Sequence, residues 1–243
     1  MEGYQPGTYG ARYAAEYDAW HANFMDTEGA LTALAKLARD GPALEFGSGT
    51  GRLAVPLAEL GLDVSAIEIA PEMVARMKAK PGGDRVRVMV GDMTRARLDQ
   101  RFSLVYAGHS TLMQLPDQQA QVTCFRNAAR HLVPGGHFAL ETLTVSGAER
   151  TVLRCEAVEA DRVVLHLGVY DPVTGGYSGN RLVLEPTGIR FYPTPGRPVG
   201  HGEMDLMAEL AGLRLAHRWG DWHGGPFTPS SYYHVSIYRL PAD

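Results

Sequence analysis

The chain has 243 residues, enough for one large α/β domain with a modest insertion or for two small domains. Hydrophobic residues make up 45%, charged residues 21%, and the formal net charge is −4. That balance argues against nucleic acid as the main partner, because no general phosphate-neutralising surface is expected. No apolar run is long enough to span a bilayer or to serve as a leader, so no membrane partner is expected. Cys124 and Cys155 share no metal-ligand spacing and read as reduced thiols of a cytoplasmic protein.

Ala11 to Phe24 reads as a short helix with Tyr13, Tyr17, Trp20 and Phe24 on one aromatic face. Thr27 to Arg39 is a second helix, with Leu31, Leu34 and Leu37 apolar, and Gly41-Pro42 breaks it. Strands and helices then alternate. Ala43 to Phe46 is a short buried strand, followed by a glycine loop and a helix from Arg52 to Leu60. Asp63 to Ile69 ends in a second strand, and Pro71 opens a helix to about Lys80. Arg85 to Val90 and Phe102 to Gly108 are the third and fourth strands. A helix spans Asp117 to Leu132, and Pro134-Gly135-Gly136 turns into a fifth strand, His137 to Leu143. Such alternation implies a mainly parallel sheet covered on both faces.

The pattern then changes to a run of β-strands: 152–159, 162–170, 177–185 and 188–192. Val163, Leu165, Leu167 and Val169 alternate as a half-buried strand requires, and 171–176 is a turn. The α/β pattern resumes with a helix from Gly202 to Ala211 and strands near Leu213 to Asp221 and Tyr232 to Leu240.

The decisive segment is Glu45-Phe46-Gly47-Ser48-Gly49-Thr50-Gly51, at a strand-to-helix junction. Glycines there let backbone amides approach a ligand and adopt positive φ. A dinucleotide fingerprint wants its third glycine at position 52, which is Arg52; the third glycine here is Gly51. Glu45 precedes the loop, and its carboxylate suits a cationic ligand better than a pyrophosphate. S-adenosylmethionine (SAM) carries a sulfonium and an ammonium and no phosphate. Glu68, at the end of the second strand, is placed to accept hydrogen bonds from a ribose diol. Ile69 and Met73 are placed against an adenine face, and Asp92 to accept the adenine amino group.

Glu45 to Gly51, Ile67 to Met73, Gly91-Asp92-Met93 and Leu132 to Gly136 resemble the successive motifs of class I SAM-dependent methyltransferases. The resemblance is strong over roughly residues 41–143. It implies a Rossmann-like α/β fold with a seven-stranded sheet, the last strand antiparallel, and helices on both faces. It also implies cofactor contacts from Glu45, Gly47, Gly49, Gly51, Glu68, Ile69, Met73, Asp92 and Met93. Residues 41–150 and 201–243 would form the SAM-binding domain. Residues 1–40 would form a helical lid, and 151–200 an antiparallel β insertion that caps the substrate or pairs subunits as a homodimer.

Tyr17-Asp18-Ala19-Trp20-His21 resembles the Tyr-Asp-x-x-His element of small-molecule N-methyltransferases, including glycine N-methyltransferase-like enzymes and amine methyltransferases of natural-product pathways. By that match Tyr17 borders the transferred methyl, with Tyr4, Tyr9 and Tyr13 in the same lid. His109, after the fourth strand, is a second catalytic candidate and a base near neutral pH. Tyr9, Tyr13, Trp20 and Trp222 are candidates for the acceptor pocket. His201, His217, His223 and His234 have irregular spacing and suggest no metal site. The expected activity is N-methylation of a small amine. C- or O-methylation of an indole or phenol, and a SAM-binding protein without activity, are the alternatives. An NAD-dependent oxidoreductase is disfavoured by Arg52.

Overall fold

The computed structural model describes residues 1–21, 26–145 and 150–242. Phe24, placed on the aromatic helix face by its spacing, lies outside the described residues. Helices are α1 (Thr8–Tyr13), α2 (Tyr17–His21), α3 (Thr27–Ala38), α4 (Ala54–Glu59), α5 (Pro71–Lys78), α6 (Gln118–His131) and α7 (His201–Leu210). The first strands are β1 (Ala43–Phe46), β2 (Val64–Glu68), β3 (Arg87–Val90), β4 (Phe102–Ala107) and β5 (Leu132–Leu143). They are followed by β6 (Thr151–Val158), β7 (Val163–Tyr170), β8 (Tyr177–Glu185), β9 (Gly188–Pro193), β10 (Arg214–Trp219) and β11 (Tyr233–Arg239).

Seven strands form the main sheet in the order β10-β11-β5-β4-β1-β2-β3. β1 to β5 pair in parallel, and β11 runs antiparallel to both β5 and β10. Every residue of β1 and β2 is buried, as expected of parallel strands covered on both faces. One face packs Phe46, Phe102, Phe138 and Tyr238 against α6 and α7, burying Phe125 and Met204. The other packs Leu104, Tyr106 and Ile237 against α3 and α4, burying Leu34 and Leu57. The strand order reverses between β1 and β4, which opens a crevice at the carboxyl ends of these strands.

β6 to β9 form a separate four-stranded antiparallel sheet inserted after β5. A small third core joins it to the N-terminal helices through Tyr13, Met73, Val164, Val183 and Tyr192.

The structure differs from the sequence expectations in two places. The expected helix over 11–24 is two short helices separated by a turn at 14–16. Pro134-Gly135-Gly136 does not precede β5 but lies within it. The pairing jumps from Phe102↔Leu132 to Leu104↔His137, and Gly135 takes φ +80°, so these residues bulge out of a strand that continues past them.

Candidate active site

A cavity of about 960 Å³ opens over the carboxyl ends of β1, β2 and β4. Its floor is the glycine loop. Gly47, Gly49 and Gly51 have φ of +66°, +54° and +79°, a region that disfavours side chains. Their surroundings differ. A Cβ on Gly51 would lie 2.6 Å from Met77 Cγ, and one on Gly47 would lie 2.5 Å from Thr111 Cγ2. A Cβ on Gly49 would meet nothing within 4 Å. Gly51 is therefore a packing glycine, whereas Gly49 faces the open cavity.

Glu68 stands where β2 ends and lines the cavity. Its Oε2 accepts from Gly49 N at 2.8 Å and its Oε1 from Ala70 N at 2.9 Å. Burial raises its pKa, and these amides counter the rise. The carboxylate thus ties the loop after β1 to the turn after β2. Ile69 and Met73 continue the same wall. Asp92 and Met93 stand opposite, after β3, with Asp92 Oδ1 accepting from the backbone and hydroxyl of Thr94, both at 2.8 Å.

Glu45 does not belong to the cavity wall. It is buried behind the loop, and its Oε2 accepts from Tyr106 Oη at 3.1 Å. Burial lifts its pKa to about 8, against the pull of the Arg52 charge and the Tyr106 hydroxyl. Arg52, known from sequence only as the residue replacing a glycine, sits beneath the site. It donates to Thr27 Oγ1 at 3.0 Å, and its charge also acts on Tyr17, His21 and His109.

Where β4 ends, His109 and Ser110 take φ of +49° and +56°, unusual for residues other than glycine. The end of β5 holds this turn. Glu141 Oε2 accepts from His109 N at 2.6 Å, Glu141 O accepts from Ser110 N at 3.0 Å, and Ser110 Oγ accepts from Leu143 N at 3.0 Å. The His109 side chain enters the cavity and meets the His21 ring edge to face at 4.9 Å. His21 stacks on Tyr17 at 4.4 Å, and its Nδ1 lies 2.7 Å from Tyr17 O. Tyr17, His21 and His109 therefore form one aromatic wall, with Tyr17 and His109 lining the cavity. Burial, reinforced by His21 and Arg52, lowers the pKa of His109 to about 3, and burial raises Tyr17 to about 12.

The N-terminal helices cover the cavity. Gly10 packs against Ala70 and Met73, too closely for a Cβ to fit against Ala70. Asp18 fastens α2 to the glycine loop, accepting from Thr50 Oγ1 at 2.6 Å and pairing with Lys80 at 2.8 Å. Tyr4 and Tyr9 face the cavity. Tyr13 and Trp20 do not; they anchor the N-terminal helices to the insertion. Tyr13 Oη donates to Tyr192 O at 3.2 Å, both rings meet Tyr192 edge to face, and Arg181 lies 4.3 Å above the Trp20 ring. The expectation that Trp222 lines the acceptor pocket is corrected. It is 3% exposed in the core beneath the opposite sheet face, among Val235 and Ile237.

The outer wall comes from segments that no motif singled out. Gln114 to Asp117 contribute one side, and Asp171, Thr174, Tyr177 and Gly196 of the insertion the other. The Tyr177 hydroxyl is fixed 2.7 Å from His166 Nε2. Residue spacing in a β-hairpin carries no signal for such a wall; only the fold brings it over the glycine loop.

The residues present fit SAM: a glycine loop open at Gly49, a carboxylate where β2 ends, and a second acid after β3. Residues 43–136 match the family described as Methyltransferase domain. The chain superposes on the CcbJ methyltransferase from Streptomyces caelestis with a TM-score of 0.90 and 36% identity, covering 98% of this chain and 100% of that one. The cypemycin N-terminal methyltransferase of a Streptomyces species is 26% identical over 197 residues, 77% of this chain and 78% of the relative. SAM-bound CalS10, an amino pentose methyltransferase from Micromonospora echinaspora, shares the fold with a TM-score of 0.64 at 21% identity, covering 99% of both chains. The chain belongs to the class I SAM-dependent methyltransferases.

Proposed function

We propose that this methyltransferase acts on the nitrogen of an amine-bearing small molecule of the natural-product type. The carrying observation is the acid–base state of the groups beside the glycine loop. With a pKa near 3, His109 is a neutral and weakly basic imidazole at physiological pH; with a pKa near 12, Tyr17 stays a phenol. Neither is a ready proton acceptor for an alcohol or phenol, which needs one. A neutral amine attacks with its own lone pair and needs alignment above all. The similarity to a methyltransferase named for an N-terminus supports the same reading.

In this reading Glu68 receives the ribose hydroxyls, Asp92 the adenine amino group, and Ile69, Met73 and Met93 the adenine faces. Gly47 and Gly49 present backbone to the amino-acid end, while Gly51 and the buried Glu45 shape the loop from behind. SAM, when bound, supplies the methyl group and the departing sulfur. Tyr17 and His109 position the acceptor rather than take its proton, and Tyr9 borders it. Residues 1–40 act as the lid, 41–150 and 201–243 as the donor-binding domain, and 151–200 as the cap over the acceptor end.

The test is incubation with methyl-labelled SAM and a panel of amines, phenols and indoles, with fragmentation of any product by mass spectrometry. The label is expected on nitrogen. A methyl on oxygen or carbon overturns the choice of acceptor atom, and SAM binding without turnover on any acceptor supports a binding protein instead.

A further inference from the structure

Glycine inside a strand weakens it and marks a place where another group comes close. Gly168 of β7 and Gly179 of β8 stand directly opposite each other. By alternation they share the face of Val164 and Val183, which turns to the N-terminal helices. Neither backbone is left-handed, so conformation does not require glycine at either position. Space does. A Cβ on Gly179 would lie 2.5 Å from Tyr177 Cε1, and one on Gly168 would run into the Tyr177 hydroxyl. The two glycines thus form a slot that seats the Tyr177 ring. His166 closes its end on the same face, with Nε2 2.7 Å from the hydroxyl.

The direction of that hydrogen bond follows from chemistry. A neutral imidazole nitrogen is a far better proton acceptor than a phenol oxygen, so the phenol donates. Burial keeps both groups uncharged. It raises the pKa of Tyr177 and lowers that of His166, the latter opposed by Glu156 and helped by Arg154 and Arg181. Arg154 of β6 and Arg181 of β8 pair with His166 across the sheet, and Glu156 holds Arg181 at 2.6 Å. Tyr9 and Tyr13 of the N-terminal helices and Tyr192 of β9 complete the titratable groups around that arginine. With its hydrogen committed to His166, the Tyr177 oxygen keeps only lone pairs for the cavity that Tyr177 lines. The wall is clamped to the turn that carries His109. Tyr177 and Gly196 exchange both backbone hydrogen bonds, at 2.7 and 2.9 Å, and Arg197 N donates to Met113 O at 2.7 Å.

We infer that Tyr177, turned by His166, receives an N–H of the methyl acceptor and so selects for an amine at the outer wall. The inference rests on the reading of the acceptor as an amine. His166 is a positioning residue that acts through Tyr177. When it gains a proton, its Nε2 becomes a donor. The phenol hydrogen then points elsewhere, and Tyr177 loses its preference for an N–H.

Steady-state kinetics with an amine of the panel that takes the label tests this. Near neutral pH, Tyr177→Phe is expected to raise KM for the amine about tenfold, as loss of one hydrogen bond does, with kcat retained. The ratio of variant to wild-type KM is expected to fall toward one as pH drops through the His166 range, below the ordinary 6.5. Taking the ratio cancels the titration of the amine itself. Gly168→Ala keeps both phenol and imidazole but puts a methyl where the hydroxyl lies, so it is expected to raise KM in the same way. SAM binding by calorimetry checks the folding of both variants. Unchanged KM in Tyr177→Phe overturns the inference and leaves N-methylation in place. So does a fall in kcat at unchanged KM, or a KM ratio that does not move with pH. A methyl on oxygen or carbon, or a panel in which no amine takes the label, overturns the amine reading and this inference with it.

Discussion

Two buried glutamates at strand ends illustrate how burial and hydrogen bonding divide labour. Glu68 receives two backbone amides and faces the cavity; Glu45 receives one phenol and faces the core. Replacing Glu68 with alanine is expected to weaken SAM binding by about 1–3 kcal/mol, as loss of charge-accepted hydrogen bonds does. Titration calorimetry reads this directly, and unchanged affinity in a folded variant would remove Glu68 from the ribose site. Glu45 makes a different prediction. In the fold it keeps its proton up to about pH 8, against an ordinary value of 4.5. Between those values the folded state binds more protons than the unfolded, so stability falls as pH rises. Melting temperatures across that range should decline less steeply for Glu45→Gln than for the wild type; parallel profiles would mean that Glu45 ionises freely. His109 contributes the opposite slope at lower pH, since its pKa is depressed, and the comparison with Glu45→Gln cancels it.

Much of the cavity floor was legible residue by residue, because glycine spacing and acids at strand ends follow directly from how a backbone loop and a parallel sheet meet at a crevice. The aromatics were not. Helical spacing groups Tyr13, Tyr17 and Trp20 on one face but does not say which neighbour that face meets. Tyr17 meets the cavity, and Tyr13 and Trp20 meet Tyr192. Arg52 and Glu141 were silent for another reason: they act through loops and neighbouring strands distant in sequence.

In the proposed reading the N-terminal helices, which cover the cavity, are the element on which donor access turns. Asp18 joins α2 to both Thr50 and Lys80, while Gly10 lets α1 settle on α5. Asp18 is half exposed, so water and salt screen its ion pair. Asp18→Ala is expected to cost about 1 kcal/mol of lid closure, seen as SAM dissociation several-fold faster in stopped-flow traces. Gly10→Val should act more severely. Its side chain meets Ala70, so the lid lifts and turnover falls while the strand core keeps its melting temperature. Full activity in that variant would show that α1 need not dock. The break between α1 and α2 was not legible. Ala14, Ala15 and Glu16 favour helix, and tertiary contacts at Tyr13 and Tyr17 override that preference.

At the scale of the whole molecule, the alternation of strands and helices announced the sheet, and the resemblance supplied its seven strands and antiparallel end. Periodicity alone does not order strands in space. The inserted strands were readable almost to the residue because Val163 to Val169 alternate and turn residues at 171–176 separate that strand from the next. Their two faces were not distinguishable, since both are rich in apolar residues and only packing on the lid separates them. Trp222 shows the same limit: beside Asp221 and His223 it resembled a loop aromatic, yet it fills the core. Trp222→Ala should destabilise the fold by about 3–5 kcal/mol in chemical denaturation, with SAM affinity of the folded protein unchanged. A variant of normal stability and lost turnover would return Trp222 to the acceptor site.

The cavity draws its two ends from separate stretches of chain. Its floor is encoded between residues 47 and 95, and much of its outer wall between 169 and 196. With the roles proposed above, exchange or drift in the later stretch retailors the accepted molecule while the apparatus for the methyl donor stays untouched. A scaffold divided in this way can give rise to many enzymes that share one reagent and differ in what they decorate.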